Sequence, residues 1–478
     1  MLRDIIKKEI LDNLLSPKFV FMFIICSVLI LLSVYMGVGG YLADKKVYDD
    51  DLAWDKQAMQ PPNTFDQLRS GALKIYREPQ MLGTLVKGVE NAAGRMSHSH
   101  LTEVGISESK YESNPLTAVF GAFDLMFIVK MVLSLFAILL VYDTICGERE
   151  KGTLKLSLSN SVPRDRLILG KAIGGYISLV IPLLLPLMLS LIYLSLHPQI
   201  VLPGEDWQRL GLIFLMFLMY LSVFFCLGLL VSSLTTRSST SLIALLFIWS
   251  VWGMVVPKAA VIIAGMLRPV PAPNEIYSQK AMASNQINQE IDQAFIPRLS
   301  AAGVTVHLSN GTIRGIRIPS NEAMEAYRKI NDEMNLERAR REGESNAKID
   351  QEYQLRKDAQ AALAKNLSRV SPSSALTFSA TALAQTGVDD YNRFLKAVLD
   401  YKPVIAHWFR TNSDLRNESG EYKQFDSGIL SGMPRPVIEY ENLNRSFTRI
   451  LPDLISMTVM IVLLMGGAYF AFIRYDVR

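Results

Sequence analysis

Residues 142–155 hold a dense set of polar groups that could do chemistry: Tyr142, Asp143, Glu148, Arg149, Glu150, Lys151, Thr153 and Lys155. Gly147 and Gly152 bracket the Glu-Arg-Glu-Lys run. Glycines permit tight turns, so a short helix held between them makes a rigid knob. Glu148 and Glu150 can accept charge-assisted hydrogen bonds from the Arg or Lys of a partner. That chemistry is recognition rather than bond breaking. Long apolar runs lie on both sides. Charge of this density cannot sit in hydrocarbon, so the cluster must lie at a membrane surface. It is then a handle by which a soluble partner moves two spans together, or an anchor that rests at lipid head groups.

Other chemistry is thin. Residues 147–153 contain glycines but lack the Gly-Lys-Ser/Thr ending that cradles phosphates. There is no His-Glu-x-x-His and no Gly-x-Ser-x-Gly. His98-Ser-His100 is a pair of histidines on a loop, a weak metal signal. The three cysteines are Cys26, Cys146 and Cys226, two inside apolar runs and one beside the charge cluster, so neither a disulfide framework nor a Cys-based metal site is expected. No cofactor is implied, and the chain reads as a non-enzyme on its own. Inside the second apolar run sit Lys130 and, nearer its outer end, Asp124. An intramembrane charge is a functional candidate by default. The alternative for Lys130 is a subunit interface or snorkelling.

Half of the 478 residues are hydrophobic and they are bunched. Several runs reach the roughly 20 residues that cross a bilayer as a helix. The expected fold is an all-α polytopic membrane protein: six transmembrane helices with a large, mainly helical extracytoplasmic domain. The spans are read at 19–41, 116–141, 172–196, 210–230, 242–267 and 454–473. The fifth is expected to break at Val256-Pro257-Lys258, because proline removes a helix donor. Residues 1–18 read as an amphipathic connecting helix, with Leu2, Ile5, Ile6 and Ile10 on one side and Arg3, Lys7 and Lys8 off it. The first run reads as a retained anchor rather than a cleaved signal.

Arg and Lys set the orientation. They precede span one, fill the 142–171 connection, and recur at Arg237, Arg474 and Arg478. Those regions fall on one side, the cytoplasm, with both termini there. Segments 42–115 and 268–449 then lie outside and are expected to pack together. Within the second, 274–295 and 321–370 carry helical stripes. The polar stretch 337–348, with Gly343 inside, is either a solvated helix or a break. Val304 to Leu308 and Ile313 to Ile318 flank a Ser-Asn-Gly-Thr turn, which allows a small hairpin. Ser371-Pro372-Ser373 stops one helix and caps the next, and 389–401 reads as helix again. Charges nearly balance at +4, so no nucleic-acid partner is indicated.

One resemblance rests on these residues. Tyr142-Asp-x-x-x-Gly-Glu-Arg-Glu-x-Gly-Thr153, then Pro163-Arg-x-Arg166 and Gly170-Lys171, resembles the ABC-2 type transporter permeases. Ser371-Pro-x-Ser-Ala375 and Gly387-x-Asp-Asp-Tyr391 are similar to the branch with a large extracytoplasmic insertion, which includes permeases of the nitrous-oxide-reductase maturation type. The resemblance implies a location in the cell's inner membrane and a partnership with cytoplasmic ABC ATPase subunits and a second permease copy or paralogue. It further implies that Glu148, Arg149, Glu150, Gly152 and Thr153 form the ATPase-coupling element, with residues 1–17 as the connecting helix. An extracytoplasmic partner protein fits the large outer segments. The expected function is an ATP-driven permease that exports a substrate or transmits force outward. Few polar groups line the spans, which suits a lipid-like substrate. The competing reading is a membrane receptor or scaffold with a ligand-sensing outer domain. An ion-coupled carrier would show inverted repeats and midplane acidic pairs, and neither is found.

Overall fold

A computed structural model describes residues 2–58, 73–90, 92, 96–99, 104–106, 123–155, 163–200, 202–309, 312–411 and 432–474. Six helices are long and apolar enough to cross a membrane: Pro17–Ala53, Leu125–Glu150, Arg164–Ser195, Gly204–Leu234, Ser238–Leu267 and Leu443–Ile473. The polar neighbours of each apolar run continue the helix, so most spans outrun the stretches marked by hydropathy alone. The first helix carries on to Ala58. The third begins at Arg164, which moves Lys171 out of the expected connecting loop and into a helix. Residues 116–122, assigned to the second span, lie outside the described residues.

In chain order, α1 is Leu2–Leu14 and α2 is Pro17–Ala58. Strands β1 (Leu73–Tyr76), β2 (Met96–Ser99) and β3 (Val104–Ile106) form a small antiparallel sheet in the order β1-β2-β3. Helix α3 starts at Leu125–Phe127, passes through a π segment at Ile128–Leu133 and ends as Ser134–Val141. The short α4 is Cys146–Glu150. Then come α5 (Arg164–Ser195) and α6 (Gly204–Leu234). Helix α7 comprises Ser238–Ser250, a π segment at Val251–Val255, and Val256–Leu267. The expected break at Pro257 does not occur. The π segment lies just before the proline, and a widened turn of this kind accommodates the missing N–H donor without ending the helix.

The chain divides into two compact units. One is Lys258–Ser368. Its helices α8 (Pro273–Ala301) and α9 (Asn321–Ser368) form a hairpin whose connection carries the antiparallel strands β4 (Thr305–Ser309) and β5 (Thr312–Arg317). Helix α9 passes through Gly343 unbroken, and at 1.5 Å per residue it is about 72 Å long. A small core of Leu299, Val304 and Ala323 seats the β hairpin on the helices. Away from it, Lys280–Asp350, Arg338–Asp292 and Arg298–Glu333 pair across the two helices.

The second unit joins residues 1–257 to 369–478. Residues 268–449 are therefore divided between the two units, those after Ser368 grouping with residues 1–257. Helix α10 (Pro372–Leu383) is almost wholly buried there. Its hydroxyls tolerate burial because they bond their own helix: Thr377 to the Ser373 carbonyl, Ser379 to Ala375, Thr381 to Thr377. Ser371 sits at its N-cap position without capping it; the Oγ donates to the Trp252 carbonyl at 2.6 Å instead. Arg209, at the start of α6, donates to the carbonyls of Leu383 and Glu441 and to Ser446. The turn at residues 84–90 meets the other end of α10: Val89 N–H donates to the Thr386 carbonyl, and the Thr386 hydroxyl to Val86. Helix α11 (Val388–Thr411) and the final span α12 (Leu443–Ile473) complete the unit.

Candidate functional site: a charged hub at the ends of the spans

Helix α4 is little more than one turn, with Gly147 as its second residue and Gly152 just beyond its end. Gly152 closes it with φ +76°, a left-handed conformation that glycine adopts without strain. Its first N–H groups have no partner within the helix. Ser232, from the last turn of α6, supplies one: Ile145 and Cys146 N–H donate to its Oγ at 3.0 and 3.2 Å.

Each charged side chain then grips a different helix. Lys171 of α5 donates to Glu148 Oε1 at 2.9 Å and to Glu9 Oε2 of α1 at 3.4 Å. Arg149 donates to the carbonyls of Thr235 and Ser233 at 2.8 and 3.2 Å, at the C-terminal end of α6. Glu150 Oε2 accepts from Ser238 N–H and Oγ at 3.1 and 2.9 Å, at the N-terminal end of α7. The signs match the helix ends: a cation on free carbonyls and an anion on free N–H groups, each favoured by the macrodipole. Two consecutive residues thus bridge the joint between the fourth and fifth spans. Lys18, at the start of α2, pairs with Asp143 at 2.8 Å, donates to Tyr142 OH at 3.0 Å and sits 4.7 Å from the Tyr142 ring centroid.

Helix α1 reaches the hub because α5 offers it a groove. A Cβ at Gly170 would lie 2.5 Å from Ile5 Cγ2, and one at Gly174 would lie 2.8 Å from Glu9 Cβ and 3.0 Å from the Ile6 carbonyl oxygen. Small residues four apart allow such close helix contact. Lys171 rises between them with its side chain only 5% exposed.

Burial pushes the Glu9 carboxyl above the usual range; Lys171 opposes this and Glu148 adds to it. A carboxyl raised on docking binds its proton more tightly when docked. Docking of α1 is therefore strongest below the ordinary value of 4.5 and weakens as pH climbs through the raised one. Amide exchange across α1 in the full-length protein, corrected for intrinsic rates, should quicken as pH rises above that range. Glu9→Gln should flatten the dependence; an unchanged slope in that variant would refute the linkage.

The sequence marked Glu148, Arg149, Glu150, Gly152 and Thr153, and all five fall at the hub. The three charged side chains, however, are engaged within the chain. Glu150, Lys151, Gly152, Thr153 and Lys155 form the exposed tip. Glu9, Ser232 and Ser238 were not singled out, and Lys171 was marked only within the resemblance and not as a partner of Glu148, because nothing in the spacing of residues so far apart announces their meeting. Asp124 and Lys130 lie elsewhere. Asp124 caps α3 by accepting from Phe127 N–H at 2.8 Å and holds Lys87 N–H at 2.9 Å, so both oxygens serve the backbone. Lys130 Nζ donates to the Thr377 hydroxyl at 3.2 Å. His100 lies outside the described residues, and among the described ones no group of three or more His, Cys, Asp and Glu could hold a metal.

Six apolar helices, five of them tied at one end to the same charged turn, define a multi-pass helical membrane protein. The chain belongs to the ABC-2 transporter family: the sequence profile described as ABC-2 family transporter protein matches residues 3–477. It is a transmembrane subunit of an ABC transporter, and the family works with ABC ATPase subunits. A search of curated proteins found no match.

Proposed function

We propose that this chain is the permease of an ATP-driven transporter in the cytoplasmic membrane, with both termini and the hub in the cytoplasm. Separate ATPase subunits engage the exposed tip at Glu150, Lys151, Gly152, Thr153 and Lys155, and a second permease copy or a paralogue completes the pore. The observation that carries this reading is that Glu148, Arg149 and Glu150 are each fastened to a different helix. A push on the tip therefore reaches α1, α5, α6 and α7 together rather than one loop. The Arg and Lys distribution supports the orientation. The outward effect of that push is export of an amphiphilic substrate or movement of an extracytoplasmic partner.

The test uses the full-length permease co-purified with its ATPase subunits. Reversing the tip charges with Lys151→Glu and Lys155→Glu should weaken the association about tenfold, mainly by slowing it, and the loss should shrink in high salt. Equal ATPase recovery and equal ATP turnover in wild type and variant would overturn the docking assignment.

A further inference from the structure

Lys130 is a cation six residues into the apolar helix α3, and the hub does not use it. An ammonium carries three donors. Among the described residues its one hydrogen-bond partner is the Thr377 hydroxyl, which spends its own proton on the Ser373 carbonyl and so presents a lone pair. No ion pair to Lys130 forms among the described residues, and Asp124 has committed both carboxylate oxygens to backbone N–H groups. Asp124 is near enough to attract the half-buried ammonium but not to bond it, so donors of Lys130 remain for another acceptor.

The surroundings hold Lys130 in place, and the described residues leave it half-buried. It belongs to the π segment of α3. The Lys130 carbonyl, displaced from regular helix bonding there, accepts from Ser134 Oγ at 2.6 Å and Tyr220 OH at 2.8 Å. Such π turns concentrate at functional sites. Lys130 itself is half-buried, and so are Thr377 and its neighbour Phe378 on the otherwise covered α10. One turn before Lys130, Phe127 is 40% exposed, and its ring centroid lies 6.1 Å from that of Phe123. A fixed cation beside a hydroxyl acceptor, edged by open aromatic surface, matches a molecule with an anionic head and an apolar body.

We propose that Lys130 and Thr377 form a head-group site for an anionic amphiphile, with Lys130 pairing the carboxylate or phosphate and the Phe123–Phe127 face holding the apolar part. The site deepens the permease reading, on which it rests, by naming the substrate class. The same head-group chemistry can come from a resident bilayer phospholipid or from a single-chain acid passing through, and the test separates the two.

The full-length permease, purified in neutral detergent, is offered phosphatidylglycerol, oleate or phosphatidylcholine, and retained ligand is counted by native mass spectrometry. Wild type should hold an anionic ligand about tenfold more strongly than phosphatidylcholine, as a charge-assisted bond predicts. Lys130→Met should fall to the phosphatidylcholine level, and Lys130→Arg should recover most of the difference. Retention of phosphatidylglycerol alone makes the site a phospholipid site; retention of oleate makes it a site for single-chain acids. Equal retention of the anions by wild type and Lys130→Met overturns the proposal, as does cross-linking that shows a second copy covering Phe127. ATPase recovery with each variant, measured in parallel, reports on the permease reading separately, because Lys130 is far in sequence from the exposed tip and takes no part in the hub.

Discussion

Replacing Lys171 by methionine is expected to detach α1 from the hub and to uncouple ATP turnover from transport. The ammonium is buried and shared between Glu9 and Glu148. Its removal leaves two carboxylates facing each other away from water. Breaking a buried ion cluster from one side destabilises by about 3–5 kcal/mol, because the survivors lose their counter-charge and remain desolvated. The loss should be local: faster exchange across α1 and around Gly147, with the spans intact. A second arm tests the cause. Lys171→Met combined with Glu9→Gln and Glu148→Gln should recover much of the stability, since neutral groups in that space need no counter-ion. Coupling should stay impaired in the triple variant, because the tie between α1, α4 and α5 is gone. A Lys171→Met protein with wild-type exchange and wild-type coupling would remove Lys171 from the account.

What could be read in advance follows from how far each signal travels along the chain. The spans are local in sequence: each is one apolar run, and burial of backbone polar groups in hydrocarbon demands a helix. The charged turn was local too, down to the two glycines that bracket it. Its internal partners were not. Lys171, Ser232 and Ser238 lie far from Glu148 in the chain, and a carboxylate bound to a distant lysine looks the same in sequence as one waiting for a partner protein. The burial of helix α10 was not legible either. Its serines and threonines bond carbonyls within their own helix and so can be buried against the spans, which the sequence does not announce. Pro257 misled in the opposite sense. A proline inside a span reads as a break, whereas the preceding π turn absorbs the lost hydrogen bond.

Gly174 supplies the second large effect, and its sign is diagnostic. In an ordinary helix interior, replacing glycine by leucine stabilises by somewhat less than the roughly 0.8–1 kcal/mol that separates glycine from alanine. Here the new Cβ alone would stand 2.8 Å from Glu9 Cβ and 3.0 Å from the Ile6 carbonyl oxygen, both on α1. Backbone cannot yield as a flexible side chain does, so Gly174→Leu should push α1 off α5 at a cost of about 1–3 kcal/mol or more. Arg3, Lys7 and Lys8 are already exposed on the docked helix; once α1 is released its backbone can open, and trypsin should cut there faster than in wild type and well before it cuts the spans. Deleting residues 2–14 removes the obstacle. In that shortened chain the same substitution should turn favourable and raise Tm above that of the shortened parent. A penalty that survives the deletion would place the clash elsewhere on α5. A penalty that vanishes with α1 would show that the close approach at Gly174, together with the Lys171 cluster, is what seats this helix against the hub.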